Sequence, residues 1–436
     1  MESPVTDTYL SNNNASSASE APSDKKLYKL IIASSIGNAL EWFDLIAYAF
    51  FASTISKLFF PTDNETLSLM MALFAFAMSY LIRPLGAVVI GGYADKVGRK
   101  AAMLLTIWLM MAGTFLIAVM PTYESIGLLA PIGILLARLM QGFSAGGEFG
   151  SATAMLVEQY PERKGFISSF MFASQGISGL LGAGFGLVLT ATLTTEQLED
   201  WGWRVPFIFG LLIGPVGLYI RRHIEEAESF AEKEEVKVPV AELVKTHKRG
   251  LFYNIGAMVL STSVTYSIIF MPTYATKYLG LSGSIGYGGT LISYAVLTVL
   301  TPFIGILSDR IGRTKLMMFA GALFFVTVYP AFMLLSANAT LLVLASVLFW
   351  LSVLKAMYFG GLPALMSELF PTHVRATGMA LSYNIATTVF GSFTPFLLVW
   401  SISATDDLMA PSYYLLFTCC VSLITMLAIR KHFKIG

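Results

Sequence analysis

The sequence predicts an all-α membrane protein of twelve transmembrane helices arranged as two pseudo-symmetric six-helix bundles. Three observations predict it: a composition poor in charge, a series of apolar runs about as long as a bilayer is thick, and a charged turn that occurs twice. Of 436 residues, 56% are hydrophobic and 13% charged, whereas a soluble domain carries about 25% charged residues to cover its surface. The net charge of +1 gives no reason to expect a nucleic-acid partner. The two cysteines, Cys419 and Cys420, are neighbours in an apolar run and cannot form an ordinary bridge. All four histidines (His223, His247, His373 and His432) fall in loops or tails, so no metal site and no cofactor are expected.

Residues 1–27 are rich in Ser, Asn, Asp and Glu and predict a disordered tail rather than a signal peptide. A helix needs about 20 apolar residues to cross a bilayer. Runs of that kind lie near 28–57, 66–93, 101–120, 126–157, 165–192, 203–221, 250–276, 286–307, 316–336, 341–367, 375–400 and 411–430. Their continuity excludes the alternating strands of a membrane barrel.

A cytoplasmic N-terminus places every Lys and Arg on the cytoplasmic side except Lys57, Arg83, Arg138, Arg204, Lys277 and Lys355. The short opposite loops carry acids instead, among them Asp63, Glu65, Glu124, Glu196, Asp406 and Asp407. This asymmetry obeys the positive-inside rule, with both ends cytoplasmic in a bacterial inner membrane.

The turn after the second span reads Gly91-Gly-Tyr-Ala-Asp95-Lys-Val-Gly98-Arg99, and the turn after the eighth reads Gly305-Ile-Leu-Ser-Asp309-Arg-Ile-Gly312-Arg313. A weaker echo runs Glu158-Gln-Tyr-Pro161-Glu-Arg163 and Glu368-Leu-Phe-Pro371-Thr-His-Val-Arg375. Two halves in parallel orientation follow: a bundle over 28–222, a cytoplasmic linker over 223–249, a second bundle over 250–430, and a tail over 431–436. Gly91, Asp95, Arg99, Asp309 and Arg313 are the candidate cytoplasmic gate, because glycines admit close helix approach and the acids can latch basic groups in one conformation. Glu148 is expected to join the latch from the fourth helix.

G-x-x-x-D-[KR]-x-G-R in both halves resembles the loop signature of the major facilitator superfamily, and Arg138-Leu-Met-Gln141-Gly142 resembles its fourth-helix motif. More specific segments resemble the metabolite:proton symporter branch: Gly37-Asn38-Ala-Leu-Glu41-Trp42-Phe43-Asp44, Arg83-Pro84-Leu-Gly86, Gly146-Gly147-Glu148-Phe-Gly150 and Leu369-Phe370-Pro371-Thr-His-Val-Arg375-Ala-Thr-Gly378. The resemblance covers nearly the whole chain from about residue 30. It implies alternating-access symport, in a branch whose members carry citrate and tricarballylate, 2-oxoglutarate, shikimate or betaine-type osmolytes.

Six ionisable residues lie well inside the spans: Glu41, Asp44, Arg83, Arg138, Glu148 and Lys355. A charge at the bilayer centre costs about 2.5–3.5 kcal/mol, so five of these at similar depth predict a shared polar cavity. Asn38, Glu41 and Asp44 fall on one helical face, as do Arg138 with Gln141 and Lys355 with Tyr358. Desolvation favours a protonated carboxyl and a nearby arginine an ionised one, a balance suited to a proton carrier. Asp44 is therefore expected to pair with Arg138 in the empty state, with Glu41 sharing the proton task; the resemblance implies the same acid–arginine pair. Candidate substrate contacts are Asn38, Arg83, Arg138, Gln141, Gln175, Lys355, Tyr358, Tyr383 and Asn384. Arg83 has an architectural alternative, and Lys355 the alternative of pairing with Glu41 or Asp44.

The small-residue stripe Gln175-Gly176-Ile-Ser-Gly179-Leu-Leu-Gly182-Ala-Gly184-Phe-Gly186 predicts close helix packing. Three interior cations against protonatable acids favour a proton-coupled importer of a small organic anion, a di- or tricarboxylate such as citrate, with H+ as the coupling ion. An osmolyte (betaine or proline) or shikimate and aromatic acids are the alternatives. No nucleotide loop, metal cluster or nucleophile–base arrangement marks an enzyme, and two fused halves predict a functional monomer surrounded by lipid.

Overall fold

The computed structural model describes residues 24–97, 99–146, 148–212, 214–215 and 240–433. They fold into helices, with no strand among the described residues. We number the membrane helices α1 (Asp24–Phe50, resuming as Ala52–Phe59), α2 (Glu65–Leu81 and Arg83–Val97), α3 (Arg99–Val119), α4 (Leu129–Ser144 and Glu148–Gln159) and α5 (Lys164–Thr192). Helix α6 begins with the turn Gly202–Arg204. The second set is α7 (Lys248–Lys277), α8 (Gly283–Ile311), α9 (Arg313–Ala337), α10 (Leu341–Phe359 and Leu362–Glu368), α11 (Arg375–Thr387 and Thr394–Thr405) and α12 (Ala410–Phe433). Nine spans among the described residues are individually long and apolar enough to cross a membrane; α1, α3 and α6 fall short of that length-and-composition test. Most of the linker lies outside the described residues, apart from a short helix at Val240–Thr246.

Local chemistry sets several ends. Asn64 caps α2 by accepting from the Thr66 and Leu67 amides, and Thr340 caps α10 through the Val343 amide. Gly312, at φ 102°, lets α8 stop and α9 start at once, a backbone conformation that a side chain would strain. In α11 the Thr388–Ser392 stretch is a π-turn, which shifts the faces of the two flanking helical pieces.

The halves meet along α5–α8, α2–α11, α4–α11 and α1–α7. The predicted small-residue stripe of α5 is half of that contact: a Cβ at Gly179 or Gly186 would collide with the rings of Tyr294 and Tyr287 on α8. Gly165 and Gly305 bring the two backbones together at one end of the same pair. The outer surfaces expose large apolar side chains, including Val88, Trp108, Phe252, Phe303, Phe319 and Ile424, as a chain solvated by lipid requires.

Candidate functional site

Between the halves lies a small cavity lined by Trp42, Ile46, Phe172, Gln175, Gly176, Thr265, Tyr294, Leu297, Lys355 and Phe359. The space open to the centre of a water molecule is about 10 Å³, enough for roughly one water. A substrate therefore needs the helices to separate.

Lys355, 3% exposed, is the only charged side chain among the described lining residues. Its ammonium lies 4.5 Å from the centre of the Phe359 ring, a favourable placement worth about 2 kcal/mol when desolvated. No acid among the described residues comes within ion-pair distance of it, so the expected alternative of a Glu41 or Asp44 partner is not formed. Tyr358 does not share the cavity between the halves. Its hydroxyl donates to the Ala257 carbonyl at 2.7 Å, and its ring lines a second small space inside the second bundle, beside Leu260, Phe324 and Leu354. The shared helical face holds, but it is turned toward α7 and α9.

Arg83 approaches Glu41 at 4.0 Å and lies 4.0 Å from the Tyr80 ring centre. Its Nε is buried without a hydrogen-bond partner. Tyr80 meets Tyr266 edge-on at 5.7 Å, and Tyr266 reaches Trp42 at 6.2 Å, so a chain of ring contacts runs from Arg83 to Trp42 in the cavity lining, which includes neither Arg83 nor Glu41. Gln175 closes another side by donating to the Tyr383 hydroxyl at 3.3 Å.

The first bundle holds its own network. Arg138 donates from Nη1 to Gln141 Oε1 at 2.7 Å and to the Leu45 carbonyl at 3.4 Å, and from Nη2 to Ser79 Oγ at 2.9 Å. Tyr48 and Phe76 present their ring faces to it at 4.7 and 5.1 Å. Gln141 passes the network on to Thr114 at 2.9 Å. The direct Asp44–Arg138 ion pair expected from the sequence is absent. Asp44 instead leaves Oδ1 buried without a hydrogen-bond partner, against Gly210 of α6, where a Cβ would stand 2.5 Å away. The reason is local: Gln141, one turn along α4, and Ser79 already occupy the guanidinium fork. Asn38, on the same side of α1, joins α1 to α5 by donating to the Met171 carbonyl and Ser174 Oγ. The predicted shared cavity is thus two compartments, a first-bundle network around Arg138 and an interbundle cavity around Lys355.

One end of the molecule carries the two repeated turns, and the halves are cross-linked there. Asp309 accepts from the Gly165 and Phe166 amides at 2.8 and 3.0 Å, capping α5 from the other half, and pairs with Arg313 at 2.9 Å. Arg313 also pairs with Glu368, Glu158 with Arg375 at 2.8 Å, and Lys164 with Glu368 at 3.9 Å. Asn384 donates to the Gly146 carbonyl at 2.7 Å across the same seam. The expected close approach at Gly91 is not seen, because open space surrounds it. The side chains of Asp95, Arg99 and Glu148 lie outside the described residues.

Above this latch four rings form a floor. Tyr383 stacks on Phe149 with centroids 3.9 Å apart, Phe149 is followed by Phe172 at 5.5 Å, and Phe172 stacks on Phe359 at 4.2 Å. The stack crosses between the halves twice. Toward the opposite end the halves also touch: Tyr287 donates to the Phe50 carbonyl at 2.6 Å, and the half-exposed Phe74 meets Phe393 and Phe396.

Sequence reading missed Trp42, Tyr80, Tyr266, Tyr294, Phe149, Phe172 and Phe359, since an aromatic in an apolar run carries no sign of the face it occupies, and the small hydroxyl residue Thr265 for the same want of a signal. Among the described residues no group of three or more His, Cys, Asp or Glu is placed to hold a metal.

The major facilitator superfamily model matches residues 34–395. The chain is 37% identical to the citrate-proton symporter of Klebsiella pneumoniae over 90% of each chain. It is 35% identical to the proline/betaine transporter of Salmonella typhimurium, over 94% of this chain and 84% of that one. A citrate-proton symporter of Salmonella typhi is 34% identical over 92% and 94%. In fold it resembles the partially occluded, inward-open xylose transporter XylE from E. coli, with a TM-score of 0.72 at 14% identity, covering 94% of this chain and 98% of that one. Two six-helix halves with a cavity between them, and these matches along nearly its whole length, place the chain among transporters rather than enzymes: it belongs to the major facilitator superfamily.

Proposed function

We propose that the chain is a proton-coupled symporter that imports a small organic acid anion, a di- or tricarboxylate such as citrate, by alternating access across a bacterial inner membrane. The observation that carries the anion is Lys355: a buried ammonium at the central cavity with no acid in ion-pair range. An unpaired charge in a low-dielectric site is costly, and a substrate carboxylate offsets that cost when it binds. Proton coupling is supported by Glu41 and Asp44, two carboxyls in membrane helix α1, and by the relatives named as citrate-proton symporters. The end with the repeated turns is cytoplasmic by the positive-inside rule, so the ion-pair latch is the inner gate.

A second reading is import of a zwitterionic osmolyte, as the proline/betaine transporters among the relatives do by name. The rings of Trp42, Phe172, Tyr294 and Phe359 around the cavity favour it, because aromatic faces bind quaternary ammonium groups. Purified protein in proteoliposomes separates the two. Labelled citrate should enter faster when the lumen is alkaline, and tricarballylate should compete where glycine betaine does not. Uptake of betaine with no carboxylate able to compete would replace the first reading by the second.

A further inference from the structure

The charges around the cavity define the substrate more narrowly than its class. Lys355 on α10 is the one charged residue among the described lining residues. The remaining lining residues from α1, α5, α7, α8 and α10 are uncharged: Trp42, Gln175, Thr265, Tyr294 and Phe359 among them. Outside the lining, Arg83 on α2 and Glu41 on α1 are opposite charges 4.0 Å apart. The Tyr80 ring lies over Arg83 and meets Tyr266 at 5.7 Å. Arg138 and Asp44 lie inside the first bundle, with Arg138 enclosed by Tyr48, Phe76, Ser79 and Gln141, and neither lines the cavity. Tyr358, the titratable neighbour of Lys355 on its own helix, is a phenol bonded to the Ala257 carbonyl.

We infer that the site around Lys355, once the helices separate to admit it, takes its substrate as a species of one net negative charge, one carboxylate on Lys355 and any further carboxyls protonated. This rests on the proposed carboxylate function and adds the charge state. A single ammonium neutralises a single carboxylate. A second ionised carboxylate at this site would face rings and uncharged polar groups, with no further cation among the described lining residues, and burying it unpaired is costly. The hydroxyl of Tyr294 is buried without a hydrogen-bond partner, and it and the amide of Gln175 can bond a neutral carboxyl. A di- or tricarboxylic acid then carries protons across on its own carboxyls.

The test is equilibrium binding to the purified full-length transporter, between about pH 4.5 and about pH 7.5, where carboxyls change charge. The probes are citrate, succinate, monomethyl succinate and glycine betaine. Monomethyl succinate holds one negative charge over most of this range, so it reports any titration of the protein itself. The inference expects the apparent Kd of citrate and succinate to rise with pH in inverse proportion to their singly charged fraction. It expects the half-ester's Kd to stay level above the pH at which its carboxyl has ionised. Lys355→Gln should weaken binding of the half-ester. Citrate that binds more tightly as it becomes fully ionised would overturn the charge assignment while leaving carboxylate transport intact. A half-ester Kd that rises in parallel with that of succinate would also overturn it, by moving the pH effect to the protein. Binding of betaine with no binding of any carboxylate would overturn the charge assignment and the proposed function together.

Discussion

Arg138 and Lys355 are both buried cations, yet their surroundings assign them different work. Arg138 is held by three hydrogen bonds and two ring faces, and Lys355 by one ring and no acid. Arg138→Lys keeps the charge but loses the fork that reaches Gln141, Ser79 and Leu45 together. Buried acceptors left unmade cost about 1–3 kcal/mol each, so this variant should melt earlier in detergent and transport poorly. Lys355→Met has no such bonds to lose. It should melt near the wild type and weaken carboxylate binding roughly tenfold to hundredfold, from the 1.5–3 kcal/mol of a hydrogen bond to a charged group. A large fall in melting temperature for Lys355→Met with unchanged binding would assign it to packing. Both cations were legible in the sequence because a charge in an apolar run stands out. The partners were not: helical spacing placed Asp44 and Arg138 at similar depth, but Gln141 and Ser79, polar residues with ordinary neighbours, decide where the guanidinium points.

At the scale of elements, the small residues of α5 pack closely against α8 as their stripe predicts, while the asymmetry between the two repeated turns was not visible. The repeat suggested equal roles, but Gly305 touches the Gly165 backbone and Gly91 stands in open space. Nor could periodicity reveal the interruptions of α4 at Ala145, α10 at Gly360 and α11 at its π-turn, which re-aim Phe149, Leu362 and Phe393 within otherwise continuous apolar runs. Gly165→Val would push the α5 and α8 backbones apart at the latch end, and uptake should be lost while expression persists. Phe149→Ala breaks the four-ring floor in its middle. In that variant, combined with Cys419→Ser, Cys420→Ser and Thr265→Cys, the introduced thiol should label faster with a small polar reagent than on the intact floor. Equal labelling rates would show that the rings do not seal the cavity. Asp309→Asn should act in the same direction by loosening the cap on α5 and the pairing with Arg313.

For the whole molecule, the two bundles touch on both sides of the cavity around Lys355. The latch end holds ion pairs across the seam, whereas the contacts toward the opposite end are made by rings and one tyrosine hydroxyl. The two gates therefore respond to different conditions: raised salt screens the exposed parts of the first and leaves the second largely unchanged. Alternating access then consists of breaking one kind of contact while the other holds. The central claim is that downhill proton movement drives an organic anion inward through this cavity. Its most direct test is the steady-state accumulation of labelled citrate in proteoliposomes as a function of an imposed pH gradient, at zero membrane potential. One pH unit supplies about 1.4 kcal/mol per coupled proton, so each proton should raise the accumulation ratio about tenfold per unit. The account predicts a ratio that climbs with the gradient in the wild type and stays at unity in Lys355→Gln. A wild-type ratio that stays at unity whatever the gradient would contradict it.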